Sequence, residues 1–232
     1  MAKYTVWPYQ PDCLTLHVAN YTQNAVYTID PIGGRVTDTW CDMTNGGWTV
    51  IQRRMDGSED FNRGWDNYAN GFGDRFGEYW LGLENIHHLT MNDSHLEIRL
   101  EGFPGVTPTS VIAHYTHFAV LDKTSYYSLQ VGGFEGVTGN CGNFFSYHTG
   151  SPFTTFDNDN DANTTGNCAV NFRGGWWFDD SHYANLNGVY YANKLDAISS
   201  QAPRGHGIRW GFCWNVTYPA HTSLMKLKTS LL

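Results

Sequence analysis

From Gly133 to about residue 222 the chain is built largely from Gly, Asn, Asp and Trp, with few runs long enough to repeat at a helical or strand period. That region constrains the fold more than any motif does. A loop-built stretch of this length stays ordered only if side chains hold it, and ordered loops usually carry function. The candidate cement is aromatic. Phe, Trp and Tyr make up 16% of the 232 residues, nine of them Trp.

Upstream the pattern is regular. CLTLHVAN and AVYTID are short strand candidates around a turn. GWTVIQRRMD (47–56) alternates as a strand should. Ser58 precedes EDFNRGWDNYAN, which is consistent with a capped helix ending at Gly71, and LENIHHLT forms a second short helix. HLEIRLEG, HYTHFAVL and YYSLQVGG follow with period-two patterning, and SLMKLKTS near the end returns to the sheet. The fold class is α+β. No internal repeat or low-complexity linker divides the chain, and its length suits one large domain or two small ones.

Charge excludes some partners. Fourteen Lys and Arg against 22 Asp and Glu leave a net charge of −8. This disfavours nucleic acid or an anionic membrane held mainly by electrostatics. No apolar run reaches the roughly 20 residues needed to span a bilayer, so membrane insertion is not expected. The opening MAKYTVWPYQ has no hydrophobic leader run, so either the chain is cytosolic or a leader has been removed. Charged residues are only 16% of the total. A surface poor in charge and rich in Gly, Asn, Tyr and Trp suits a secreted recognition domain better than a cytosolic enzyme. The triplets at Asn20, Asn92, Asn163 and Asn215 fit a glycosylation acceptor, although an Asn-rich sequence produces such triplets by chance.

Of the five cysteines, Cys13 and Cys41 bracket the N-terminal segment. A bridge between them would contribute roughly 3–4 kcal/mol if unstrained. Cys141, Cys168 and Cys213 form an odd set with no CxxC pair, which argues against zinc. Two disulfides and one free or intermolecular thiol are expected.

In TTFDNDNDANTTGNCAV, Asp157, Asp159 and Asp161 alternate with asparagines, and no nearby Lys or Arg neutralises them. Calcium accepts carboxylate and carbonyl oxygens in flexible geometry, so alternate aspartates in a tight loop suit it. An EF-hand is excluded, because the positions that need Gly and Glu hold other residues from either starting aspartate. The competing reading is a solvated acidic turn whose Asn and Asp side chains bond their own backbone.

CDMTNGGWTVIQRRMDGSEDFNRGWDNYANGFGD, EYWLGLENIHHLT, SYHTGSPFTTFDNDND, NCAV, GGWWFDDSHYANLNGVYY, GIRW and MKLK together resemble a fibrinogen C-terminal-like domain of the ficolin and tachylectin type. The resemblance spans about residues 12–228. It implies a single such domain over 1–232, with an N-terminal disulfide-bonded part (1–46) and a central antiparallel sheet with helices (47–131 plus 223–232). A loop-rich calcium- and ligand-binding part (132–222) completes it. The resemblance also implies one Ca2+ held by Asp159 and Asp161 side chains and by carbonyls near Asn163 and Thr165. One extra residue before Cys168 allows the carbonyl pair to slip by one. The ion would stiffen the loop that leads into the ligand pocket.

Relatives of this type bind acetylated sugars beside the calcium, with an aromatic cup, a histidine and backbone donors at a cis peptide before a cysteine. On that pattern Phe172 is an aromatic wall, His182 is the pocket histidine, and Asp180, Ser181, Arg204 and Gly205 complete the candidate ligand set. Trp176 and Trp177 would support the loop from beneath, and Asn185 and Asn187 would fix a turn. Three features depart from the pattern. Ser181 replaces the second cysteine, which leaves Cys168 without its usual partner and leaves the geometry of Asp180–Ser181 open. Arg204-Gly205 replaces a Tyr-Ala pair. Cys213 and Val216 stand where relatives often carry tryptophans, and Cys213 is free to reach Cys168 or Cys141.

The resemblance therefore implies a secreted, calcium-binding lectin-like domain of innate recognition. Its partners would be glycans bearing N-acetyl or acidic groups, the latter if Arg204 faces the pocket. Weak monosaccharide sites need several linked copies, so a homotrimer or homotetramer is expected. The alternative is a protein-binding module without sugar specificity. Catalysis is not expected, because no GxSxG, HExxH, nucleotide loop or paired-carboxylate motif is present.

Overall fold

The computed structural model describes residues 2–92, 94–139, 141–199, 203–214 and 218–229. The triplet at Asn215, Val216 and the last three residues of the expected central part lie outside them, as does Asp93 of the Asn92 triplet. Strands β1 (Lys3–Tyr4), β2 (Ala25–Ile29), β3 (Thr37–Asp42) and β4 (Trp48–Arg54) come first, with helix α1 (Cys13–Val18) between β1 and β2. Helix α2 (Trp65–Asn70), the short pair β5 (Phe72–Gly73) and β6 (Tyr79–Trp80), and helix α3 (Leu83–Leu89) follow. Then come the long strands β7 (Ser94–Glu101), β8 (Ser110–Val120) and β9 (Leu129–Val137). The loop-rich region holds α4 (Cys168–Phe172), β10 (Ala184–Asn185), α5 (Lys194–Ile198) and β11 (Arg209–Trp210), and β12 (Thr222–Thr229) follows as the last strand.

One sheet runs β1-β2-β3-β4-β12-β7-β8-β9, with β6 also paired to β4. The last strand therefore sits in the middle, antiparallel to both β4 and β7. Met225 and Leu227 bury one face of it. Lys226 points the other way and donates to Asp42 at 2.8 Å, with Glu97 at 3.0 Å. That buried lysine is paired with two carboxylates, which is the condition for tolerating its charge there.

Two expectations fail locally, each for a visible reason. CLTLHVAN is not a strand. Asp12 caps it by accepting the Thr15 N–H at 2.7 Å, and α1 buries Cys13, Leu14 and Leu16 while Val18 stays exposed. The apparent alternation is half of a helical face. The helix expected after Ser58 starts only at Trp65. The backbone N–H groups of Met55, Asp56, Gly57 and Glu59 all point at the buried Glu78 carboxylate, at 2.6 to 3.1 Å. The Asn62 N–H, which would close the first helical turn onto Ser58, goes instead to the Asp60 side chain at 2.9 Å, a local bond that competes with the helix.

The loop-built region is cemented as composition implies. Trp176 and Trp177 are fully buried beneath it. Phe153 packs on Tyr68, Trp80 and Trp177 at 5.0 to 6.0 Å between ring centroids. The buried Trp177 indole N–H ties the loop-built region to the preceding part at the Tyr127 carbonyl, 2.8 Å away, and the Trp80 indole holds the Tyr68 carbonyl at 3.0 Å beneath it. Asn187 fixes a turn by donating to the Gly175 carbonyl at 2.9 Å and accepting from Gln52 at 3.1 Å.

Candidate ligand pocket and acidic loop

The disulfides set the frame of the site. Cys13 and Cys41 are bridged, and so are Cys141 and Cys213. Cys213 thus reaches Cys141, and Cys168 is left free and buried. Its thiol lies 3.5 Å from the Asp180 carbonyl oxygen. Burial, followed by the Asp161 charge, pushes the Cys168 thiol up to about 12. A thiol held that far from ionisation is not a nucleophile.

Five of the six expected ligand residues converge. Phe172 from the end of α4, Ser181, His182, Arg204 and Gly205 line one cavity of about 390 Å³. The sixth, Asp180, does not line it. Its carboxylate accepts from the Tyr147 hydroxyl at 3.2 Å instead. Tyr183, Arg209, Gly211 and Phe212 complete the lining, and no sequence motif marks any of them as a pocket residue. Arg209 sits on β11, whose pairing with β10 is invisible in such short segments.

The ring of His182 stands edge-on to Phe172 at 4.3 Å. Its Nδ1 is buried and has no hydrogen-bond partner among the described residues. Burial, with His148 and Arg209 nearby, pulls its pKa down to about 3, so the ring is neutral at physiological pH. The positive charge of the cavity therefore belongs to Arg204 and Arg209. Arg204 is exposed at the rim and makes no hydrogen bond or ion pair among the described residues. Arg209 is buried, and its Nε donates to the His206 carbonyl at 2.8 Å. Gly205 has φ +84°, and a Cβ there would come within 2.8 Å of the Phe172 ring. Glycine is thus needed where alanine stands in the sugar-binding pattern. The cis peptides among the described residues are Trp7–Pro8 and Thr107–Pro108, so Asp180–Ser181 is trans.

In the acidic loop, Asp157 is engaged elsewhere. One of its oxygens accepts the Trp65 N–H at 2.9 Å and the Thr155 hydroxyl at 2.7 Å. Asp161 accepts backbone N–H groups from Asn163 at 2.9 Å and Cys168 at 2.8 Å, one on each oxygen. Asp159 is exposed, and one of its oxygens lies 3.4 Å from the Asp161 N–H. Burial and then the Asp159 charge leave the Asp161 carboxyl above its usual range. The carbonyls of Asn163 and Thr165 accept no backbone hydrogen bond among the described residues. Two adjacent carboxylates with spare lone pairs, one of them half-buried and electrostatically uncomfortable, together with two such carbonyls, fit a hard divalent cation. Among the described residues no group of three or more His, Cys, Asp or Glu could hold a metal. A cation here would therefore need the carbonyls as well as the carboxylates.

Comparison with known proteins places these features in a family. The profile of the C-terminal globular domain of the fibrinogen beta and gamma chains matches residues 9–230. Mouse fibrinogen-like protein 1 is 41% identical over 233 residues, covering 94% of this chain and 71% of the relative. Human ficolin-3 is 40% identical over 198 residues, covering 84% of this chain and 62% of the relative. Lamprey fibrin D-dimer, solved with the peptide ligand Gly-His-Arg-Pro-amide, superposes with a TM-score of 0.84 at 29% identity. That match covers 98% of this chain and 77% of the lamprey protein's.

Proposed function

Since the chain belongs to the family of fibrinogen C-terminal globular domains, whose members are non-enzymatic binding modules, we propose that it is an extracellular protein-recognition domain working through the Phe172–His182–Arg204 cavity. One observation carries this reading. The cavity is kept while the features that suit an acetylated sugar are altered. Ser181 cannot form the local disulfide, the 180–181 peptide is trans, and a guanidinium stands where an aromatic wall would be. Two disulfides support an extracellular setting. Among the described residues no helix is long and apolar enough to cross a membrane.

The acidic loop is the second part of the proposal. Asp159 and Asp161 would supply carboxylates, and Asn163 and Thr165 carbonyls, to one Ca2+. The ion would neutralise the loop and brace α4, whose first N–H already bonds Asp161. The cavity wall Phe172 ends that helix, so a stiffer loop means a better-ordered wall.

A lectin for acidic glycans is the second reading. It is favoured by the likeness to ficolin-3 and by Arg204 at the rim, and it would require a trimer or tetramer for useful avidity. Capture from cell-surface extracts, before and after enzymatic deglycosylation, separates the two. Protein capture that survives deglycosylation and is lost in Phe172→Asp supports the first. Binding confined to sialylated or sulfated glycans on an array refutes it.

A further inference from the structure

The chemistry of the cavity lining is one-sided. It offers cationic donors at Arg204 and Arg209, aromatic faces at Phe172 and Phe212, and no Asp, Glu, Asn or Gln side chain among the described residues. Its side-chain acceptors are limited to two hydroxyls and the neutral ring of His182. A sugar ring presents hydroxyls that must donate as well as accept, and this lining gives them few places to donate. The cationic Gly-His-Arg-Pro-amide found with lamprey fibrin would meet two guanidiniums here and no carboxylate.

One lip of the cavity continues into an aromatic shelf. Tyr183 packs edge-on against Tyr147 at 4.6 Å and lies 6.2 Å from Phe212, while Phe144 stacks behind Tyr183 at 6.3 Å. The Cys141–Cys213 bridge ties the segments bearing Phe144 and Phe212 together. Gly211, at φ +48°, leaves the space that the Phe144 ring fills. Phe212 is 59% exposed and Tyr183 42% exposed, so the shelf is built but uncovered.

Resting on the protein-recognition reading, we propose that the cavity captures the C-terminus of a partner polypeptide. The terminal α-carboxylate accepts from Arg204, which is exposed at the rim and makes no hydrogen bond or ion pair among the described residues. The final side chain, aliphatic or aromatic, fills the space against Phe172, and the preceding residues lie along the Tyr183–Phe212 shelf. The end of a polypeptide is an acceptor-rich anion attached to an apolar group, which is the complement of a donor-rich, apolar pocket of about 390 Å³. Guanidinium–carboxylate pairing supplies direction as well as attraction.

The test uses a random hexapeptide library displayed with free C-terminal carboxylates, and the same library amidated. Peptides enriched from the first are then measured by fluorescence anisotropy. The expected result is enrichment of free-carboxylate peptides ending in an apolar residue, with at least tenfold weaker binding on amidation. Arg204→Ala should cost at least tenfold at an unchanged melting temperature, Arg204→Lys should recover part of that, and rising salt should weaken wild type more than Arg204→Ala. Equal binding of amidated peptides, or indifference to Arg204→Ala, overturns the proposal. So does Arg204-dependent binding of sialylated or sulfated oligosaccharides with no peptide enriched. If the protein still captures deglycosylated surface proteins through Phe172 while ignoring free C-termini, the recognition reading survives and the C-terminal specificity is wrong.

Discussion

His148 sits in an environment very unlike water. It is fully buried, with one ring nitrogen 2.7 Å from the Trp177 carbonyl and the other accepting the Ala184 N–H at 3.0 Å. Burial pulls its pKa down to about 4, and that of His182 to about 3. Unfolding returns both to about 6.5. Below that pH the unfolded protein takes up protons that the folded protein refuses, so stability is full above about 6.5 and declines as pH falls toward about 4. Each histidine accounts for on the order of 2–3 kcal/mol over that window. Thermal melts should therefore show a falling midpoint between about pH 6.5 and 4.5, before most carboxylates titrate. In His148→Gln the slope should be visibly shallower, and an unchanged slope would contradict the assignment. His148 stands in SYHTG with no local sign of burial, whereas His182 is legible as a pocket residue through the SHYANLNG pattern. The difference is that neighbours brought by the fold bury His148, while a motif already marks His182.

At the level of elements, distant residues finish what local sequence leaves open. Helix α2 begins after Gly64, which offers no side chain to cap it, and Asp157, distant in sequence, takes the Trp65 N–H. Asp157→Ala should cost about 1 kcal/mol in urea denaturation, the usual loss of a cap. Because that carboxylate is already committed, calcium should bind the variant as it binds wild type. A tenfold loss of calcium affinity would instead make Asp157 a ligand. The Cys141–Cys213 bridge closes a loop with a sequence separation of 72. Its removal in Cys141→Ser/Cys213→Ser should lower stability by about 4 kcal/mol on the loop-entropy view. A chemical melt within about 1 kcal/mol of wild type would show that packing alone holds the aromatic shelf. The strands 48–54, 94–101 and 222–229 and the helix 83–89 are legible because a periodic face meets one core. The cap at Ser58 misleads because the Asp60 side chain takes the Asn62 N–H that would close the first helical turn.

On the scale of the whole molecule, the proposed ion links the loop to everything around it. Chelator-treated protein should release binding heat when calcium is restored. At a hundredfold excess over Kd, its melting temperature should rise by about 5–10 °C. Asp159→Ala and Asp161→Ala should each abolish both responses, and no heat with no shift would remove the ion from this account. Family, α+β class, the Cys13–Cys41 bridge and five of the cavity residues are legible in the sequence, because ordered motifs and period-two faces are local records of the fold. Tertiary structure alone chose Cys141 as the partner of Cys213, turned Asp180 toward Tyr147, and brought Arg209, Tyr183 and Phe212 to the cavity. Those choices depend on how non-periodic loops cross in space over a layer of buried tryptophans. No spacing along the sequence encodes a distance set by packing between segments that have no repeat.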